Sequence, residues 1–297
     1  MISELRSVCA SFPDKRTGSN SSYQMADIGL AAFSVFFMQS PSFLAHQRTL
    51  AGAREHSNCE SLFAMSRIPT DNHIRAMLDP VAPERLYPLF DSLLARLEAR
   101  GGLRAFQRLD GHLLVALDGT EYFCSQKLSC PKCSHRERSN GAVEYHHDMV
   151  MAALVAPGQA RVVPLAPEFV MPQDGHEKQD CESRATRRWL DAHGRGLKHL
   201  KPIYLGDDLY SNQPICESVQ AVGGHFLFVA KPSSHSELYE WLDGIELPVH
   251  EERVKLGRTF QTHRYRWICG VPIRGGKDAL LVNWLEIEIT NLAGKVT

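Results

Sequence analysis

The chain has 297 residues, 43% of them hydrophobic, enough to bury the core of one large domain or two modest ones and too apolar for disorder throughout. Lysine plus arginine total 33 against 34 aspartate plus glutamate, a net charge of -1, so no global basic field recruits nucleic acid and binding of that kind must rest on local patches. Eight cysteines with one close pair lack the density of a secreted disulfide scaffold. The longest early apolar run, Ile28 to Met38, is about half of the roughly 20 residues that cross a bilayer, so a protein of the cell interior with no membrane segment is expected.

Residues 1–108 read as a helical N-terminal region. Met25 to Gln47 and Pro83 to Ala99 carry apolar residues at helical spacing, and Pro88 should kink or restart the second helix. Between them Pro69, Thr70 and Asp71 stand where a helix would be capped. Such a lobe either packs on a main domain or contacts DNA directly.

From Gly111 the texture changes to strands, His112 to Asp118, Ala142 to Ala156 and Ala160 to Val170, the last two joined as a hairpin by Pro157-Gly158-Gln159. A helix over Lys178 to Gly194 follows, then a strand over Pro202 to Asp207, a helix over Gln213 to Ala221 and a strand over His225 to Lys231. That order predicts an α/β core over 109–243 with a mixed sheet, its parallel strands joined by right-handed helical crossovers. Residues 244–297 turn to alternating strands again, through RTFQTHRYRWICGVPI and ALLVNWLEIEIT, and end with no helix to close the unit, so this β-rich part is expected to be incomplete.

Asp118 and Asp207 each close a strongly apolar strand. Carboxylates at the carboxyl ends of adjacent parallel strands point into the crevice where open α/β sheets bind ligands. Their repulsion is relieved by a divalent cation, and oxygen-only ligands of this kind favour Mg²⁺ or Mn²⁺, ions able to activate an attacking oxygen and stabilise a leaving one at a phosphodiester. The alternative is that both are turn formers, since Asp-Gly is a common turn dipeptide. Cys130-Pro-Lys-Cys133 offers two thiolates to structural Zn²⁺, with Cys124, His135, His146 and His147 as the pool for further ligands; reduced thiols in an exposed loop are the alternative. Arg136 and Arg138 beside that loop, Arg184, Arg187 and Arg188 on the following helix, and Lys231 at the mouth of a core strand are candidate DNA phosphate contacts, or a solvated face.

Several blocks, namely ALDGTEYF at 116–123, the stretch from PLAPEFV to HEKQDCES at 164–183, LGDDLYSNQP at 205–214 and IPTDNHIRAMLDP at 68–80, resemble insertion-sequence transposases of the DDE type, specifically an ISNCY-like group. The likeness covers nearly all of the chain in order. It implies a ribonuclease-H-like fold with an inserted β segment, Asp118 and Asp207 as the first two catalytic carboxylates with Asp208 at a variable position, and Mg²⁺ or Mn²⁺ as cofactor. It also implies DNA (terminal repeats and target) as partner, assembly as a homodimer on DNA, and a prokaryotic, nucleoid-associated place in the cytoplasm.

Relatives of this kind carry the third acid on a later helix, in a pattern of Tyr, Arg, Glu and Lys that is not found here. The expectation is therefore a C-terminally truncated transposase, inactive alone. Glu286 and Glu288 are expected on an exposed strand face opposite Leu285, Ile287 and Ile289, and Glu240, on a short helix after the last core strand, is the better placed substitute. Two rivals remain. One is a non-catalytic DNA-binding remnant. The other is a haloacid-dehalogenase-like phosphatase, suggested by Asp-Gly-Thr at 118–120 and Gly-Asp-Asp at 206–208 but lacking the nucleophilic Asp where Ala116 stands.

Overall fold

The computed structural model describes residues 1–18, 22–52, 58–65, 67–172, 180–257 and 259–291. Two compact units result, Met1–Arg104 and Ala105–Thr297. No described helix is long and apolar enough to cross a membrane.

The first unit is helical, with α1 (Ile2–Ala10), α2 (Met25–Phe37), α3 (Phe43–Gly52), α4 (Asn58–Ser61), α5 (Asp71–Leu78) and α6 (Tyr87–Ala99). Its core gathers Leu5 and Cys9 of α1, Ile28, Leu30 and Ala31 of α2, Phe63, and Ile74 and Met77 of α5. Helices α1 and α2 meet closely because Gly29 lacks a side chain: a Cβ there would lie 2.4 Å from Cys9 Sγ. The single helix expected over Met25 to Gln47 is two, broken where Gln39 turns left-handed at φ 51° just before Ser40-Pro41. Thr70 caps α5 as the sequence suggests, its side chain accepting the His73 N–H. A 3-10 turn over Pro83–Leu86 gives way to α6 with Pro88 in its first turn, where a missing N–H costs nothing.

Among the described residues the second unit holds two sheets. The larger is built from β1 (Gln107–Arg108), β2 (His112–Ser125), β3 (Ser134–Glu137), β4 (Val143–Val155), β5 (Val163–Pro164), β6 (Glu168–Val170), β7 (Pro202–Gly206) and β8 (His225–Phe228), with the order β3-β4-β2-β7-β8. β2 runs antiparallel to β4 and parallel to β7, and β7 runs parallel to β8, so the mixed α/β sheet expected from the element order is present. The strand expected over Ala160 to Val170 is two short pieces, each paired to β4, and β3 was not foreseen. The crossover helix, α7 (Glu182–His193), is shorter than expected, and Lys178 and Gln179 lie outside the described residues.

Helices α7 and α8 (Gln213–Ala221) cover one face of this sheet. Trp189 of α7 is fully buried, meets the Tyr204 ring edge-on at 6.2 Å and donates its indole N–H to the Ala166 carbonyl at 2.6 Å. Val219 of α8 approaches the same tyrosine over Gly224, where a Cβ would stand 2.5 Å from the Tyr204 ring. Leu113, Val115 and Leu117 point to this face, whereas the alternate residues Leu114 and Ala116, with Ile203 and Leu205 of β7, stay half-buried on the other.

The smaller sheet is antiparallel, β11-β10-β9, formed by β9 (Val249–Leu256), β10 (Thr259–Pro272) and β11 (Leu281–Asn291). Leu238 and Leu242 of α9 (Ser236–Leu242) pack on its Val271 and Trp284. This arrangement corrects one expectation. Glu286 and Glu288 share the Trp284 face and are only half-exposed, Glu286 pairing with Arg266, while Leu285 and Ile287 are 52% and 48% exposed. The face against α9 was taken by Trp284, and alternation carries the glutamates along with it.

Trp189→Ala should cost about 3–5 kcal/mol, because it removes a large buried ring and leaves the Ala166 carbonyl without its donor. Urea denaturation of the full chain measures this, and a loss below about 1 kcal/mol would contradict the packing described.

Candidate functional site

The two aspartates lie on, or just past, strands that pair parallel to each other. Leu113 pairs with Pro202, and the pairing continues step by step to Ala116 with Leu205. Asp118 lies two residues further along β2, and Asp207 two residues past Leu205, just beyond the end of β7. By strand alternation Asp118 falls on the face opposite α7, and both aspartates are exposed. Their neighbour Asp208 does other work: its carboxylate accepts the Lys231 backbone N–H at 2.7 Å and the Ser234 hydroxyl at 2.6 Å, with His235 Nε2 at 3.7 Å. Burial opposes charge at Asp208, but these donors and the nearby cations hold its carboxyl below the ordinary aspartate range. Asp207 also has a local role, since one oxygen accepts the Leu209 N–H at 2.9 Å in an Asx turn. Its remaining lone pairs are free to meet a cation.

A further carboxylate, not singled out from the sequence, lies one residue along β2 from Asp118, on the α7 face of the sheet. Glu182, the first residue of α7, lies over Gly119, where a Cβ would stand 2.2 Å from its Oε2. The buried Tyr210 hydroxyl donates to Glu182 Oε1 at 2.5 Å. Burial is the main reason the Tyr210 phenol is pushed far up, followed by the bond to Glu182 and the negative field of Glu182 and Asp118, so it stays a donor. Glu182 reads in the sequence only as an acid in a helix's first turn; the glycine seat, with four strands between it and Glu182 along the chain, carries no local signal.

Two triads of metal-type ligands, with atoms all within 4.8 Å of one another, occur among the described residues: Cys130, Cys133 and His147, and Glu121, His146 and Asp148. Neither includes Asp118, Asp207 or Glu240. Of the pool expected around the cysteine pair, His147 joins it, while Cys124, His135 and His146 do not. Adjacent residues of a strand face opposite ways, so His146 turns instead to Asp148, with Nδ1 at 2.7 Å from its carboxylate. That second triad borders a cavity of about 350 Å³ also lined by Gly119, Arg136, Asp180 and Glu182.

Three of the expected phosphate contacts have carboxylate partners. Arg136 meets Glu121 at 2.8 Å and Glu144 at 3.1 Å, Arg138 meets Glu144 at 2.7 Å, and Arg188 meets Glu168 and Asp180 at 2.7 Å each. Arg187 and Lys231 are exposed. The glutamate partners lie on other strands and Asp180 just before α7, which spacing along the chain does not reveal.

The hydrogen bond from Arg138, aided by Arg136 and Gln126, holds Glu144 at about 2, below its ordinary 4.5. A depressed carboxylate contributes stability that is fully present above the unfolded value and is lost as pH falls through the folded one. Denaturation measured between pH 5 and 2 should therefore show an acid limb that is shallower in Glu144→Gln; identical slopes would count against this cluster. No protein-family model matches this chain, and no curated protein matches it.

Proposed function

We propose that the chain is the catalytic-core part of a DDE-type DNA transposase, in which Asp118 and Asp207 share a Mg²⁺ or Mn²⁺ ion that polarises a DNA phosphodiester. The observation that carries this reading is the parallel β2–β7 register from Leu113 with Pro202 to Ala116 with Leu205, with exposed Asp118 two residues further along β2 and exposed Asp207 just past the end of β7. The order β6-β4-β2-β7-β8, antiparallel on the β4 side and parallel on the β7 side, supports the ribonuclease-H-like fold that the resemblance implies. Exposed Arg187 and Lys231 are the cations best able to reach DNA phosphates. Assembly on DNA as a homodimer, and work at the prokaryotic nucleoid, belong to the same reading.

A second reading is a DNA-binding relative that does not cut. It is favoured by the absence of Asp118 and Asp207 from both convergent ligand triads among the described residues, which leaves their cation with few protein ligands. A phosphatase reading gains nothing, because Ala116 has no carboxylate to form an aspartyl-phosphate.

Mn²⁺ titration of the full chain, followed by electron paramagnetic resonance, comes first. Asp118→Asn and Asp207→Asn should each lower affinity at least about tenfold, or about 1.4 kcal/mol, while Asp208→Asn leaves it near wild type. Affinity unchanged by both of the first two substitutions would sink the shared-cation site. Nicking of supercoiled plasmid in Mg²⁺ or Mn²⁺, abolished by Asp118→Asn, then separates the cutting reading from the binding one.

A further inference from the structure

The connection between β2 and β3 folds back on itself at Cys130-Pro-Lys-Cys133. The Cys133 N–H bonds the Cys130 carbonyl at 3.0 Å, and the Cys130 N–H points at Cys133 Sγ at 3.2 Å. The two sulfurs are 3.7 Å apart, far beyond the roughly 2.05 Å of a disulfide. His147 reaches them from β4, with Nε2 3.4 Å from Cys130 Sγ and 3.3 Å from Cys133 Sγ. Its ring is held in that direction by Tyr122, stacked at 5.7 Å and 16°, and by Phe123 at 5.5 Å.

These three distances form a triangle of a particular size. Tetrahedral zinc, with Zn–S of about 2.3 Å and Zn–N of about 2.0–2.1 Å, sets sulfur atoms about 3.8 Å apart and nitrogen about 3.6 Å from sulfur. The thiol and imidazole atoms thus already stand within a few tenths of an ångström of three corners of a zinc tetrahedron. Cys130 is exposed while Cys133 is buried, so the fourth corner opens to solvent.

We propose that Cys130, Cys133 and His147 bind one Zn²⁺, with water in the fourth position, and that the ion fastens the Gln126–Cys133 loop to β4. The donor set is soft, as zinc requires and as Mg²⁺ does not. The loop is otherwise tied down by the Ser125 hydroxyl, which accepts the N–H groups of Lys127 and Leu128, and by the Gln126 amide, which donates to Glu144 of β4 at 3.4 Å. Lys127 and Lys132 in this loop are exposed. The site stands independently of the transposase reading, since no residue of it is shared with the aspartate pair.

The test uses the full chain purified without chelator. About one equivalent of zinc should be retained, and Co²⁺ exchanged for it should show thiolate-to-cobalt charge transfer and tetrahedral d–d bands. Cys133→Ser and His147→Ala should each weaken binding by more than the roughly 10–100-fold typical of losing an outer-sphere partner, while Cys269→Ser, on β10, leaves it unchanged. Chelation should speed tryptic cleavage after Lys127 and Lys132 in the wild type and make no difference in Cys133→Ser. The proposal is overturned by a wild-type cobalt spectrum without thiolate bands, by wild-type affinity in His147→Ala, by a Cys130–Cys133 disulfide in freshly isolated protein, or by chelation that leaves cleavage in the loop unchanged.

Discussion

Parallel pairing of β2 with β7 is the constraint on which the rest of the second unit depends. Strand pairing has a side-chain period of two, so a slip of one residue would send Asp118 to the helix-covered face and bury a carboxylate under α7. The register is held on that face by Val115 beside Tyr204, and Tyr204 is in turn held by Trp189 of α7 and Val219 of α8. The stretch of β2 that leads to exposed Asp118 is therefore held in register by apolar residues on the opposite side of the sheet.

Electrostatics divides the acids of this region into those with fixed work and those free for a ligand. Glu144 is buried between Arg136 and Arg138, Asp180 is gripped by Arg188, and Asp208 is wrapped by the Lys231 amide and the Ser234 hydroxyl. At Asp180 burial opposes ionisation, and the Arg188 guanidinium outweighs it to hold the carboxyl low. Asp118 and Asp207 stand in solvent instead. Charge without a fixed partner costs little there and gains when a cation arrives.

The metal-type clusters follow from strand alternation in the same way. His146 and His147 are neighbours in sequence, yet one turns to Asp148 and the other to the cysteine pair. Two chemically distinct sites are thereby built on the two faces of β4, a harder one with two carboxylates and a softer one with two thiols.

Much of the architecture was legible from residues 1–297 as written. The run HLLVALD, the apolar PIYLG and the capping Thr70 are local signals, and the start of β2, all of β7 and the start of α5 appear where period and capping place them, although β2 continues past the expected end at Asp118 to Ser125. The parallel order of β2 and β7 was also legible, because it follows from the helices between. The break at Gln39, the short β3, the partners of Arg136, Arg138 and Arg188, the choice of His147 over His146, and the seat of Glu182 over Gly119 were not. Each of these depends on which atoms from distant parts of the chain come within a few ångströms, and that is settled by packing of the whole unit, which no local period or dipeptide encodes.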